Sequence, residues 1–175
     1  ATVCAHTLDR WDDIAASIGS IAAQTSPADE IILAVDNNPE LVATASTRLP
    51  DNVIVVDHRG TRGVSGARNA GVRAAKSDIL AFLDDDAVAD HNWLEKLLTW
   101  YDDPDVTRVG GKAIPVWDPM PGLQWFPDSF LWVIGCTHSG LENVPGEVRN
   151  LIGCSMSFRG AAWEDSGGFC ESIGR

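Results

Sequence analysis

Cations are scarce in this chain: 13 lysines and arginines stand against 25 aspartates and glutamates, a net charge of −12. No basic stripe exists to neutralise a phosphate backbone, which argues against nucleic acid as a partner. The same imbalance disfavours simple docking on an anionic membrane. Cysteine is sparse as well. Cys4, Cys136, Cys154 and Cys170 form no CxxC pair, so they read as free thiols of a reducing cytoplasm rather than as a zinc site. No apolar run reaches the roughly 18 residues of a membrane-spanning helix. No Gly-Lys-Ser/Thr closes a glycine-rich loop, which excludes a Walker-type phosphate site. Internal repeats and low-complexity tracts are absent too. What remains is ordinary: 175 residues, 45% hydrophobic and 22% charged, enough for one domain with a real core. The chain opens inside an apolar stretch at Ala1 and stops at Gly174-Arg175 with no closing element. It therefore reads as a piece of a longer protein.

The first hundred residues alternate strand and helix signals. Apolar runs at 1–5, 30–35, 53–56 and 79–83 predict four strands. Between them, Ile14, Ile18 and Ile21 mark a helix over 12–24, Pro39 starts one through Ser46, and 67–76 reads as a third. Asp90 is expected to cap a fourth, through Tyr101. Near-continuous apolar strands separated by helices predict an open parallel sheet with helices on both faces. After residue 110 periodicity fades, and Trp117, Pro119, Pro121, Trp125, Pro127 and Trp132 predict a long irregular wall-building segment. A strand over 150–158 and a short helix over 161–164 follow.

In such sheets ligands bind at the carboxyl ends of the strands. That rule picks out Thr7, Asp36 and the triplet Asp84-Asp85-Asp86. Three consecutive like charges are hard to desolvate, and they make physical sense at a cleft mouth facing a cation. Hard oxygen ligands suit Mg²⁺ or Mn²⁺; a solvated loop is the bland alternative. The stretch Gly63 to Gly71 runs into a helix, whose free N–H groups and positive dipole end, with Arg68 beside them, suit a diphosphate. A plain packing turn would have the same composition. Asp36 can accept from a base N–H or a ribose hydroxyl, or can close an Asx turn. The tryptophans of 117–132 suit sugar faces, a core or a lipid headgroup region. Cys154 reads as small core within the last strand.

Together these pieces resemble family 2 glycosyltransferases of the GT-A fold. Thr7-Leu8-Asp9-Arg10 is similar to the first nucleotide-binding turn. Val35-Asp36-Asn37-Asn38 is similar to the acidic end of the second strand, although that strand more usually ends Asp-Asp-Gly. Gly66-Ala67-Arg68-Asn69-Ala70-Gly71 resembles the Ala-Arg-Asn-x-Gly element, and Phe82 to Asp86 the DxD strand. Gly153 to Arg159 and Gly167 to Glu171 resemble two late motifs. The resemblance implies a Rossmann-like sheet, with a nucleotide-binding half over 1–103 and an acceptor-side half over 104–175. It implies a UDP, GDP or dTDP sugar as donor and a hydroxyl acceptor in glycan, glycolipid or polysaccharide assembly. Transfer would invert the anomeric centre with Mg²⁺ or Mn²⁺ as cofactor. Carried over by position, Thr7, Arg10, Asp36, Asn38, Gly66, Arg68 and Asn69 would hold the nucleotide sugar. Asp84 and Asp85 would support them, and Asp86 would ligate the metal. Trp117, Gly153, Cys154 and Met156 would face donor sugar and acceptor. The family's base lies in an acidic pair after the Gly-Gly-Phe-x-Glu stretch, and Glu164-Asp165 precedes that stretch; the base is therefore expected beyond Arg175. A cytoplasmic setting is implied, with membrane contact limited to a lipid-linked acceptor, missing regions or a peripheral position at the inner face.

Three other readings compete. Asp84-x-Asp86 after a strand resembles the nucleophile motif of haloacid-dehalogenase phosphohydrolases, yet here three strands precede it. A sugar-nucleotide pyrophosphorylase lacks its glycine-rich signature after the first strand. A non-catalytic donor-binding piece of a larger synthase fits a truncated chain.

Overall fold

A computed structural model describes residues 1–117, 125–138 and 146–173; Pro119 and Pro121 lie outside them. The elements run β1 (Thr2–Ala5), α1 (Trp11–Ala22), β2 (Ile31–Asp36), α2 (Pro39–Arg48), β3 (Val53–His58), α3 (Val64–Ala74) and β4 (Ile79–Asp84). They continue with α4 (Trp93–Leu98), β5 (Arg108–Gly110), β6 (Ser155–Arg159) and α5 (Gly160–Asp165). Among the described residues the six strands form one sheet in the order β3-β2-β1-β4-β6-β5. The first four are parallel, as expected from their apolar runs. The last two differ: β6 runs antiparallel to β4, and β5, which the sequence did not suggest, runs antiparallel to β6.

Both faces are covered. Val3, Leu33, Val35, Ala81 and Leu83 pack with Ile14, Ile18 and Ile21 of α1, Leu41 and Ala45 of α2, and α4. On the opposite face Leu80, Phe82, Met156 and Phe158 pack with Val72 of α3, and Trp163 of α5 and Phe169 close the edge. Period 2 along β4 divides these residues between the two layers. Gly71 lets α3 settle on the sheet, since a Cβ there would lie 2.6 Å from the Thr2 methyl.

Three local expectations are corrected. Helix α3 begins at Val64, three residues early, because Gly63 at φ 131° turns the chain directly into it. Asp90 does not cap α4: the buried amide of Gln24, just past the end of α1, accepts from Leu94 N (2.9 Å) and donates to the Asp90 carbonyl (2.8 Å). The side chain that orders this helix start lies 70 residues away in sequence. The last strand begins at Ser155, so Gly153 and Cys154 occupy a turn.

Candidate functional site

The carboxyl ends of β1, β2 and β4 open on one side of the sheet, and the chain places its polar clusters there. Thr7 caps a 3₁₀ turn, Leu8–Arg10, by accepting from Asp9 N at 3.2 Å. Asp36 is held on both oxygens, by Gly63 N (2.8 Å) and by the Asn37 amide (2.8 Å). Asn37 sits in the left-handed region at φ 50°, and its amide also reaches the Gly60 carbonyl at 3.2 Å. The end of β2 is thereby tied to the loop before α3. His6, Asp36, Thr61, Arg62 and Gly63 line a cleft of ≈ 460 Å³, into which α3 opens with no side-chain cap.

The acidic triplet begins where β4 ends and forms a turn, with Ala87 N donating to the Asp84 carbonyl at 3.2 Å. Ser17 of α1 donates to the same carbonyl at 3.1 Å. Two arginines divide the three carboxylates. Arg68, on α3, donates from Nη2 to Asp84 Oδ1 and to the Gly153 carbonyl, both at 3.1 Å. Arg10 donates from Nη1 to Asp85 Oδ1 (3.1 Å) and Asp86 Oδ2 (3.2 Å). Burial pushes the Asp84 carboxyl above its ordinary range, Arg68 pulls it back, and the Asp86 charge adds to the rise. Asp85 shifts up for the same leading reason, opposed by Arg10. The Asp86 side chain is 56% exposed and open to a ligand.

Arg10 is thus joined to Asp85 and Asp86, and Arg68 to Asp84 and Gly153, while Thr7 and Asp36 stand at the ends of the neighbouring strands β1 and β2. The remaining expected residues sit differently. Asn38 is employed in the fold: its Oδ1 caps α2 at Leu41 N (3.0 Å), and its amide donates to the His6 carbonyl (3.0 Å). Asn69 is buried and fully engaged. It donates to the Phe169 carbonyl (2.9 Å) and Glu171 Oε1 (3.0 Å) and accepts from Phe169 N (2.9 Å). It therefore latches the Gly-Gly-Phe segment rather than facing a ligand. Gly66 provides clearance, since a Cβ there would lie 2.5 Å from His58 Nε2 and 2.7 Å from the Thr61 carbonyl. Met156 is core, buried opposite Phe82 on the α3 face, so the expectation that it faces the sugar is corrected. Cys154 lies half-buried in its turn, and burial, with Asp84 next, pushes its thiol up to about 11. Trp117 joins an aromatic group through Phe126 at 5.7 Å. Phe126 also contacts Trp125 (6.1 Å) and Phe130 (6.5 Å). This segment contains a 3₁₀ helix, Asp128–Ile134. It is tied back where Ala113 and Thr137 exchange two 2.9 Å hydrogen bonds. The adjoining Cys136 thiol is pushed up by burial and by the Asp86 charge.

His6, Thr61 and Arg62 were missed from sequence. The strand-end rule could have found His6, one residue past β1. Arg62 carried no signal beyond a polar loop.

The residues suit a divalent cation in one specific way. The donors are hard carboxylate oxygens, and Asp85 Oδ2 is buried with no hydrogen-bond partner. Among the described residues no three His, Cys, Asp or Glu side chains are grouped to hold a metal alone. Mg²⁺ and its analogues are typically held by one or two carboxylates together with substrate phosphates.

This sheet, with a glycine-rich helix start and an acidic strand end meeting at one crevice, defines an α/β domain of the GT-A type. Solved structures agree on the fold. A mannosyltransferase from Pyrobaculum calidifontis, solved with GDP-Man and Mn²⁺, superposes with a TM-score of 0.68 at 20% identity, covering 98% of this chain and 48% of its own. TarS of S. aureus (residues 1–349) gives 0.67 at 18% identity, covering 99% and 51%. The family model for glycosyl transferase family 2 matches residues 2–165; the chain belongs to that family. It is 32% identical over 176 residues to the glucosyl-dolichyl phosphate glucuronosyltransferase of Haloferax volcanii, covering 99% of this chain and 56% of that protein. Succinoglycan biosynthesis protein ExoM of Rhizobium meliloti is 32% identical over 166 residues, covering 90% and 50%. The chain thus spans about half the length of these curated relatives. Family membership displaces the phosphohydrolase and pyrophosphorylase readings. No helix among the described residues is long and apolar enough to cross a membrane.

Proposed function

We propose that the chain carries the donor site of an enzyme that transfers a sugar from a nucleotide diphosphate to an acceptor hydroxyl, with inversion at the anomeric carbon. The observation that carries this is that Asp36, tied to the uncapped start of α3, and the Arg68–Asp84 pair, beside an exposed Asp86, stand at the carboxyl ends of the two parallel strands that flank β1. Asp36, oriented by Gly63 and Asn37, keeps lone pairs for a base N–H or a ribose hydroxyl. The N–H groups opening α3 and the positive end of its dipole draw the diphosphate. Arg68 holds the Gly153 turn against β4, which fixes the wall on which the sugar rests. Asp86, with Asp84 and Asp85 in support, would hold Mg²⁺ or Mn²⁺. When bound, the cation supplies charge neutralisation for the diphosphate leaving group. The 1–103 half serves the nucleotide and the 104–175 half the acceptor, with Trp117 and its aromatic neighbours as the apolar wall. Two features support a sugar nucleotide donor: a fold neighbour is solved with GDP-Man and Mn²⁺, and TarS is solved with UDP and with UDP-GlcNAc. A hydroxyl on a lipid-linked glycan is a candidate acceptor, since the Haloferax relative is named for a dolichyl phosphate substrate. No catalytic base is assigned.

Calorimetry with UDP, GDP and dTDP, each with and without Mn²⁺, tests the reading. One of the three is expected to bind more tightly with the metal. Failure of all three in its presence sinks the donor site, and metal-independent binding removes only the role of Asp86.

A further inference from the structure

We infer that Arg10 is the built-in counter-ion of the acidic turn, anchored on Asp85 and competing with a divalent cation for Asp86. The inference rests on the metal–diphosphate reading above. One nitrogen, Arg10 Nη1, contacts both Asp85 Oδ1 (3.1 Å) and Asp86 Oδ2 (3.2 Å). The two contacts are unequal. The Asp85 side chain is only 9% exposed, and its second oxygen is buried without a partner. An uncompensated charge there is costly, so this carboxylate needs the guanidinium. Asp86 is 56% exposed and Arg10 44%, a solvated pair that yields easily.

Chemistry follows from the asymmetry. A cation arriving at Asp86 displaces the weak contact while Arg10 stays on Asp85, and it then sits beside a fixed positive charge. Cation affinity in the absence of donor is lowered. A nucleotide diphosphate brings negative charge that offsets Arg10, so cation and donor bind cooperatively. Arg10 also ends the 3₁₀ turn capped by Thr7, which ties this balance to the loop beside His6. Arg10 is in this account a positioning residue, and its guanidinium is spent on the protein rather than on the nucleotide.

The test is Mn²⁺ binding followed by the electron paramagnetic resonance signal of free Mn²⁺, without donor and then with UDP or GDP. Arg10→Gln is expected to bind Mn²⁺ on the order of tenfold more tightly than the parent, the effect of deleting one unit charge beside a divalent ion in a largely solvated site. Arg10→Lys, which keeps the charge, is expected to stay near the parent. The gain in Mn²⁺ affinity on adding nucleotide is expected to shrink in Arg10→Gln. Should that variant fail to fold, Asp85→Asn/Arg10→Gln against Asp85→Asn makes the same comparison, with no buried charge left alone. Equal or weaker Mn²⁺ binding by a folded Arg10→Gln, or by the double variant, overturns the inference while leaving the metal reading intact. Absence of Mn²⁺ from every protein, with and without nucleotide, overturns both.

Discussion

Arg68→Ala should destabilise the protein by an amount that depends on pH, and the direction of that dependence is fixed by Asp84. The Arg68 side chain is 14% exposed and donates to Asp84 Oδ1 and the Gly153 carbonyl at 3.1 Å each. Its guanidinium also lies 5.6 Å from the Phe169 ring centroid. Breaking a buried ion pair costs about 3–5 kcal/mol, but the Asp84 side chain is 38% exposed and water recovers part of that. We expect a loss of about 2 kcal/mol, a fall in Tm of roughly 4–8 °C for a chain of this size. The Asp84 carboxyl is already above its ordinary range because burial outweighs Arg68, and without Arg68 it rises further. A carboxyl raised in the folded state binds more protons there than in the unfolded chain. Its stability contribution is therefore intact below the unfolded pKa and is lost as pH rises through the folded value. The gap between parent and Arg68→Ala should narrow near pH 4 and be full at pH 7. Urea unfolding at the two pH values measures it. An equal gap at both, or none at pH 7, would refute the assignment of Arg68 as the counter-charge of Asp84.

Four further outcomes follow from named contacts. Asn69→Ala removes three hydrogen bonds to 169–171 and should cost about 2–3 kcal/mol, with hydrogen exchange accelerating first over 167–173. Gly66→Ala places a Cβ against His58 and the Thr61 carbonyl; it should weaken nucleotide binding by displacing the 61–63 loop, which calorimetry reads directly. Phe82→Ala empties a site between Phe158 (5.2 Å) and Phe169 (5.6 Å) and should cost about 3–5 kcal/mol in urea unfolding. Timed iodoacetamide labelling at pH 8 should modify Cys170 first, since its exposed thiol is drawn down by hydrogen bonds at Ser172. Cys154 and Cys4, pushed up to about 11 and about 12 by burial, should label last.

The parallel half of the sheet was legible because its strands are apolar runs, three of the four leading into a polar residue that the strand-end rule picked out: Thr7 after β1, Asp36 and Asp84. Burial on both faces writes itself into such sequences. Strand β5 was not legible, for Arg108–Gly110 is three residues of mostly exposed edge and carries no period. The antiparallel return of β6 was hidden for a different reason: direction depends on how the irregular segment crosses the sheet, which composition does not encode. At the site, charge was easier to read than commitment. Asp36, Arg68 and Asp84 were visible as residue types, whereas the engagement of Asn38 in a helix cap and of Asn69 in a latch depends on partners 3 and 100 residues away. Met156 shows the same limit, since a glycine-flanked motif gives no sign of which side chains of the following strand turn inward.

Three adjacent aspartates in a chain already at −12 should repel one another, and the fold answers this with two arginines brought from different elements. Arg68 descends from α3 to Asp84, and Arg10 reaches from the turn before α1 to Asp85 and Asp86. Three carboxylates and two guanidiniums leave one negative charge, and it lies on the exposed side, at Asp86. A cluster with no arginines would bind cations strongly but strain the end of β4; a fully neutral one would attract none. The observed balance keeps β4 paired with β1 and β6 while leaving a single weakly held carboxylate facing the crevice. On the donor-site reading proposed above, such an arrangement would suit a cation that arrives with a diphosphate and leaves with it, because the described residues alone offer too few grouped ligands to retain the ion.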